Sequence, residues 1–274
     1  MRKARVVLSL AVLILFSVVS SSIAETPGRI ISLAPNLTEI LFEMGLGSRI
    51  VGVTQFCDYP AEAKKKPKVG GMSNPSPEAV VTLKPDLVLM TTDGNPKEFG
   101  ERFRKLGVKT YLFRAQRLSE LPHEIRKLGM ALDAKREADA LAGRIENTLK
   151  KLRDRKIAKP QKVLFIVWPE PLIVAGPDTA IDDSIKLFGH TNIAAGTGIS
   201  YPKYSLEEII RQSPDAIFIG MGHAEIKEIS QGLLRKLGNV PAVRNHRVFF
   251  LSDNLYRLGP RIIKGIQEMA ECLK

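Results

Sequence analysis

"EAVVTLKPDLVLM" occupies residues 78–90 and "EEIIRQSPDAIFI" occupies residues 207–219, so one pattern is written twice in the chain. Each copy runs acid, any residue, two β-branched residues, three more residues, Pro-Asp and then an apolar run. The segment before the proline carries a helical pattern, through Val80, Val81 and Leu83 in the first copy and Ile209 and Ile210 in the second. Pro85 and Pro214 stop it, because proline disfavours the α conformation in the residue before it and has no amide hydrogen to give a helix. Leu87–Met90 and Ala216–Ile219 then read as short strands buried on both faces. Each copy is therefore helix, turn, parallel strand.

The likeness extends outward. "RIISLAP" at Arg29 and "KVLFIVWPEP" at Lys162 both read as opening strands. Each is followed by an apolar-periodic helix ending in Gly, "NLTEILFEMGLG" from Asn36 and "AIDDSIKLFGH" from Ala180. Asn36 is the expected N-cap of the first, with Glu39 completing a capping box. Further strands are expected in "RIVGVT", "VKTYLF" and "HRVFFLS". Strands alternating with helices imply parallel sheets, one in each half. Between the halves, Asp133 to Lys156 has no Pro and places Leu141, Ile145, Leu149 and Leu152 at helical spacing, which predicts one long connecting helix of roughly 35 Å. The expected fold class is α/β, with two similar lobes on one rigid helix and a ligand cleft between them, at the carboxyl ends of the strands.

The chain has 274 residues, enough for about two domains. Residues 1–24 are expected to be an export signal: Arg2, Lys3 and Arg5 precede the apolar stretch Val6–Val19, and Ser22-Ile23-Ala24 supplies small residues for cleavage after Ala24. The run is shorter than the roughly 20 apolar residues a membrane span needs. No Cys follows the cleavage point, so a lipid anchor is not expected and a soluble periplasmic protein is. The remaining segments are a lobe at 25–130, the linking helix at 131–158 and a second lobe at 159–274.

The formal charge of +12 includes three basic residues of the signal, leaving 41 − 3 = 38 basic against 29 acidic residues, or +9. Export excludes nucleic acid as the partner, and Lys64-Lys65-Lys66 and the Lys150–Lys156 run, free of interleaved aromatics, read as solvated faces. Cys57 and Cys272 are expected to be unpaired.

Enzyme motifs are missing: the sequence has no G-x-S-x-G, no phosphate loop, no H-E-x-x-H and no C-x-x-C. The histidines at 123, 190, 223 and 246 lack metal-ligand spacing, so no metal site and no catalytic residue is expected; His223, at a strand end, is a possible ligand contact. Phe56, Tyr59, Met72, Trp168, Tyr201 and Tyr204 fall in the loops at the strand ends. Trp168, followed closely by Pro169 and Pro171, could stack on a flat ligand or pack behind its loop. Asp253, Arg257 and Arg261 can hydrogen-bond amides or pair with carboxylates, and Arg261 can instead brace the helix it begins.

The order "RIISLAPNLTEILFEMG", "VGVTQFCDYP", "LKPDLVLM", the central helix, "SPDAIFI" and "SDNLYRLGPRI" resembles the periplasmic substrate-binding proteins of ABC importers for vitamin B12, ferric siderophores and haem. Through "DYP", "KPDLV" and "SD…R…PRI" it is most similar to the vitamin B12 binders of that family. The resemblance covers nearly the whole mature chain. It implies two lobes on a rigid spine, with small lobe motion, and a monomer that delivers a cobalt corrinoid or iron chelate to an inner-membrane permease and its ATPase. The implied ligand surface is Phe56, Met72, Trp168, Tyr201, Asp253 and Arg257, and the acids that dock on permease arginines are Glu78 and Glu207. The sequence departs from the corrinoid pattern in having Met72 and Thr91 at aromatic positions and no hydroxyl on Phe56. Ferric siderophore and haem are the alternative ligands. An exported hydrolase using Ser73 or Ser200 is a remote one, without an obvious His partner.

Overall fold

The computed structural model describes residues 26–92, 94–154, 159–222 and 225–273. The expected signal, 1–24, and His223 lie outside the described residues. The first lobe contains β1 (Ile30–Ser32), α1 (Pro35–Glu43), β2 (Ile50–Val53), α2 (Pro77–Thr82), β3 (Leu87–Thr91), α3 (Lys97–Lys105) and β4 (Thr110–Phe113). Two helices, α4 (Leu121–Ala131) and α5 (Lys135–Arg153), lead to the second lobe. That lobe holds β5 (Lys162–Pro169), β6 (Leu172–Val174), α6 (Ala180–Leu187), β7 (Thr191–Asn192), α7 (Leu206–Gln212), β8 (Ala216–Gly220), α8 (Ile226–Lys236), β9 (Val248–Leu251) and α9 (Ile262–Cys272).

The strand order of the first sheet is β2-β1-β3-β4, all parallel. In the second sheet β7, β5, β8 and β9 pair in parallel in the same relative positions, and β6 adds an antiparallel hairpin to β5. The two lobes are thus one topology used twice.

The repeated segment explains how each lobe is closed. Ser76 and Ser205 cap α2 and α7, accepting the amides of Ala79 and Glu208. The helices end at Lys84 and Ser213, whose φ of 45° and 50° is left-handed, each directly before the proline. The following aspartate then clasps the opening strand. Asp86 Oδ2 accepts the amides of Gly28 and Arg29 at 2.9 and 2.8 Å, and Asp215 Oδ2 accepts that of Lys162 at 2.8 Å. Arg29 and Lys162 return the favour by donating to the last carbonyls of the helices, Leu83 at 2.7 Å and Gln212 at 3.2 Å. β3 and β8 are buried at every residue, as strands covered on both faces must be.

Alternation along those strands sorts the core into layers. Ile31, Val88 and Met90 face an outer layer of the first lobe, and Ile166, Ile217 and Ile219 an outer layer of the second. The inner faces share one cluster: Leu37, Leu89 and Phe113 join Leu141, Ile145 and Leu149 of the spine and Phe165, Phe218, Ile262 and Ile266 of the second lobe. A close-packed core that crosses the boundary resists sliding of one lobe on the other. Solution scattering with and without ligand should therefore register a change in radius of gyration under about 1 Å; a contraction of several ångströms would mean that the lobes hinge.

Three local expectations are corrected. Asn36 does not cap α1: the helix begins two residues earlier than that cap would place it, at Pro35, Ala34 is its N-cap without a side-chain bond, and the Asn36 amide donates to Leu258 O at 3.2 Å. The long helix starts at Lys135 and not at Asp133, whose φ of 52° turns the chain between α4 and α5. At 19 residues α5 spans roughly 28 Å. Trp168 is not a loop residue, because β5 continues to Pro169 to pair with β6.

Candidate functional site

A cavity of about 280 Å³ opens between the lobes at the carboxyl ends of the strands. Pro35, Asn36, Phe56 and Met72 line it from the first lobe; Gly222, Asp253, Tyr256, Arg257 and Leu258 line it from the second. Asn95 sets the Met72 loop: its amide donates to Leu33 O at 3.0 Å and Met72 O at 2.8 Å, while its Oδ1 accepts the Thr91 amide at 2.8 Å. Phe56 stands 51 % exposed above Cys57, which is buried and receives a bond from the Thr38 hydroxyl at 3.2 Å. Burial pushes the Cys57 thiol above its ordinary range, and both cysteines are free, as expected.

On the opposite wall, the 3₁₀ turn Asp253–Tyr256 is pinned to α9 by Glu268, which accepts from Ser252 Oγ at 2.7 Å and Asn254 Nδ2 at 3.0 Å. Tyr256 donates to Val167 O at 3.2 Å and meets Phe165 edge-on, with ring centres 6.0 Å apart. Only glycine fits at position 220, since a Cβ there would run into the Tyr256 ring.

Beneath this wall an ion cluster spans the lobe boundary. Arg257 donates to Asp58 at 2.9 Å, and lies 3.2 Å from Asp253 and 3.6 Å from Glu39. Arg261 donates to Glu39 at 2.8 Å and its guanidinium sits 4.7 Å from the centre of the Tyr59 ring. Glu39 is only 1 % exposed. Burial raises its carboxyl above the usual range against the pull of both arginines. Burial would also raise Asp58, but the Arg257 hydrogen bond and charge outweigh it and hold that carboxyl low.

Of the residues expected from sequence, Phe56, Met72, Asp253 and Arg257 come together on the cavity. Trp168 is turned toward the outer core of the second lobe, where its indole N–H donates to Glu170 O at 2.6 Å. Tyr201, 46 % exposed on the loop between β7 and α7, lies outside the lining. Tyr204 packs on the outer core and donates to Ile193 O. Tyr256, Asn95, Glu39 and Asp58 were not singled out as site residues. Tyr256 lies within "SDNLYRLGPR", the very stretch that supplied Asp253 and Arg257, whereas the Glu39 to Arg261 bond joins residues 222 positions apart and leaves no local signal.

Glu78 and Glu207 sit at the second position of α2 and α7, both exposed. Their own backbone amides, then Ser76 and Ser205, hold the two carboxyls below the ordinary range. Among the described residues no helix is long and apolar enough to cross a membrane, and no three metal-binding side chains cluster.

Residues 30–255 match the periplasmic binding protein family, and the chain belongs to it. It is 34 % identical to an uncharacterized ABC transporter substrate-binding lipoprotein, YvrC, of Bacillus subtilis, over 92 % of this chain and 82 % of the relative. It is 30 % identical to the vitamin B12-binding protein of Vibrio vulnificus, over 95 % and 94 %. Among solved structures, the periplasmic haem-binding protein RhuT from Roseiflexus superimposes with a TM-score of 0.81 at 31 % identity, over 89 % of this chain and 97 % of that one.

Proposed function

We propose that this chain captures cobalamin or a related corrinoid in the interlobe cleft and hands it to the inner-membrane permease of an ABC importer, whose ATPase drives uptake. The observation that supports the ligand is the make-up of the cavity: Phe56 and Met72 on one wall, Asp253 and Arg257 on the other. A corrinoid is a broad macrocycle with amides on its rim. An aromatic ring and a pliable thioether cover such a face, while a carboxylate and a guanidinium take amide N–H and C=O. The Vibrio vulnificus relative, by its name, points the same way.

In this reading the protein makes and breaks no bond, acts as a monomer in the periplasm after loss of residues 1–24, and docks through Glu78 and Glu207. Tyr201 meets the parts of the ligand that overhang the cavity; Trp168 is left out of the ligand surface. Titration calorimetry of residues 25–274 with cyanocobalamin should give one-to-one binding at micromolar affinity or tighter, about −8 kcal/mol or better. The likeness to RhuT favours haem as the second reading, with Tyr201 as the candidate iron ligand. Absence of corrinoid binding together with a shifted Soret band on adding haemin would establish that alternative.

A further inference from the structure

The lining carries one cation among the described residues, Arg257, and that cation is already surrounded by acid. Asp58 lies 2.9 Å from it, Asp253 3.2 Å and Glu39 3.6 Å. Arg261, the second guanidinium of the cluster, is 14 % exposed, bonded to Glu39 and stacked on Tyr59. Two arginines therefore face three carboxylates, a local sum of −1 when all are ionised. Lys264, beside Tyr59 on α9, is exposed and is not part of the lining. The lining itself therefore carries none of the basic excess seen over the chain as a whole.

We infer that the cleft selects its ligand by charge, accepting neutral macrocycles and chelates and rejecting polyanionic ones, with Asp58 and Asp253 as the residues that enforce the choice. The proposal rests on this cavity being the ligand site, and it deepens the corrinoid reading by naming the charge class. An anionic group that reaches Arg257 comes to rest beside Asp58 and Asp253 and meets their repulsion at close range. A neutral amide meets no such repulsion, and it can donate to Asp253 on the lining, with Asp58 behind it on Arg257. Repulsion of this kind discriminates more sharply than added attraction.

Two substitutions unmask the arginine. Asp58, whose side chain is 55 % exposed, tolerates Asp58→Asn without loss of packing; Asp253→Asn removes the partner on the other guanidinium nitrogen. The probes are cyanocobalamin, a neutral ferric trihydroxamate and the trianionic ferric tris-catecholate, titrated into wild type and both variants. Wild type should hold the trianion at least about tenfold more weakly than the better neutral probe, and each variant should raise affinity for the trianion by about tenfold, from one unit charge removed at a few ångströms in a partly wet cleft. In both variants the affinity for the neutral probe should move less than the affinity for the trianion. Trianion binding by wild type as tight as the neutral probe, or a trianion affinity that neither variant moves, overturns the proposal. Binding of the trihydroxamate without cyanocobalamin keeps the charge rule and removes the corrinoid reading, so the two fail separately.

Discussion

Glu39→Ala should lower the unfolding free energy by about 3–5 kcal/mol, the range for removing one partner of a buried ion pair. Glu39 is 1 % exposed and is the nearest acid to Arg261, which is itself 14 % exposed. Without it, Arg261 keeps the Asn254 oxygen at 3.3 Å, Asp253 at 3.9 Å and the face of the Tyr59 ring, too little to replace the water it lost on folding. The cost falls on the lobe boundary, since Glu39 belongs to α1 and Arg261 precedes α9. Removing both partners in Glu39→Ala/Arg261→Ala should cost clearly less than the sum of the single variants, because no buried charge is then stranded. Denaturant unfolding at a constant slope measures all three variants. A loss under about 1 kcal/mol for Glu39→Ala would mean that the pair is worth no more than one at the surface.

The same residue marks the limit of what the sequence discloses. Local rules recover the lobes well: the serine caps, the helix-stopping Pro85 and Pro214 and the buried strands behind them are all set within a dozen residues. What lies beyond is non-local. The aspartate of each Pro-Asp reads as a turn residue, yet Asp86 binds backbone 58 positions away. Asn36 and Glu39 fit a capping box by spacing, but α1 starts two residues earlier, at Pro35, and both side chains are drawn to the second lobe, to Leu258 and Arg261. "WPEP" has the composition of a loop, and only pairing with Leu172–Val174 keeps Trp168 in a strand. At the cavity, Phe56, Met72, Asp253 and Arg257 were legible because each lies at a strand end, where an α/β lobe puts its ligand surface. Nothing in the chain's order reveals that three carboxylates converge on Arg257.

Reversing both helix-start acids in Glu78→Lys/Glu207→Lys should abolish uptake while leaving ligand affinity within about twofold and the fold intact. The two glutamates hold the same position after the same serine cap, and each has its carboxylate poised in the charged form by its own helix amide. Neither supports the core. The ion pair of Glu78 with Arg102 is exposed at 3.6 Å and screened by solvent, so it adds little to stability. One turn on, Val81 and Ile210 are 39 % and 51 % exposed although their neighbours Val80 and Ile209 are fully buried, so each helix start offers an acid near an exposed aliphatic side chain. A partner that reads both helix starts must present a basic and apolar spot twice, which suits a permease built of two like halves. Charge reversal places lysine against that basic spot at both ends, where like-charge contact costs several kcal/mol. Each single reversal, with one helix start still seated, should leave partial transport. Measured in vesicles carrying the permease, full uptake by the double variant would place the docking surface elsewhere on the lobes. Loss of uptake together with loss of ligand binding would instead mean that the substitutions had disturbed the fold, which the melting temperature of the purified variant would report directly.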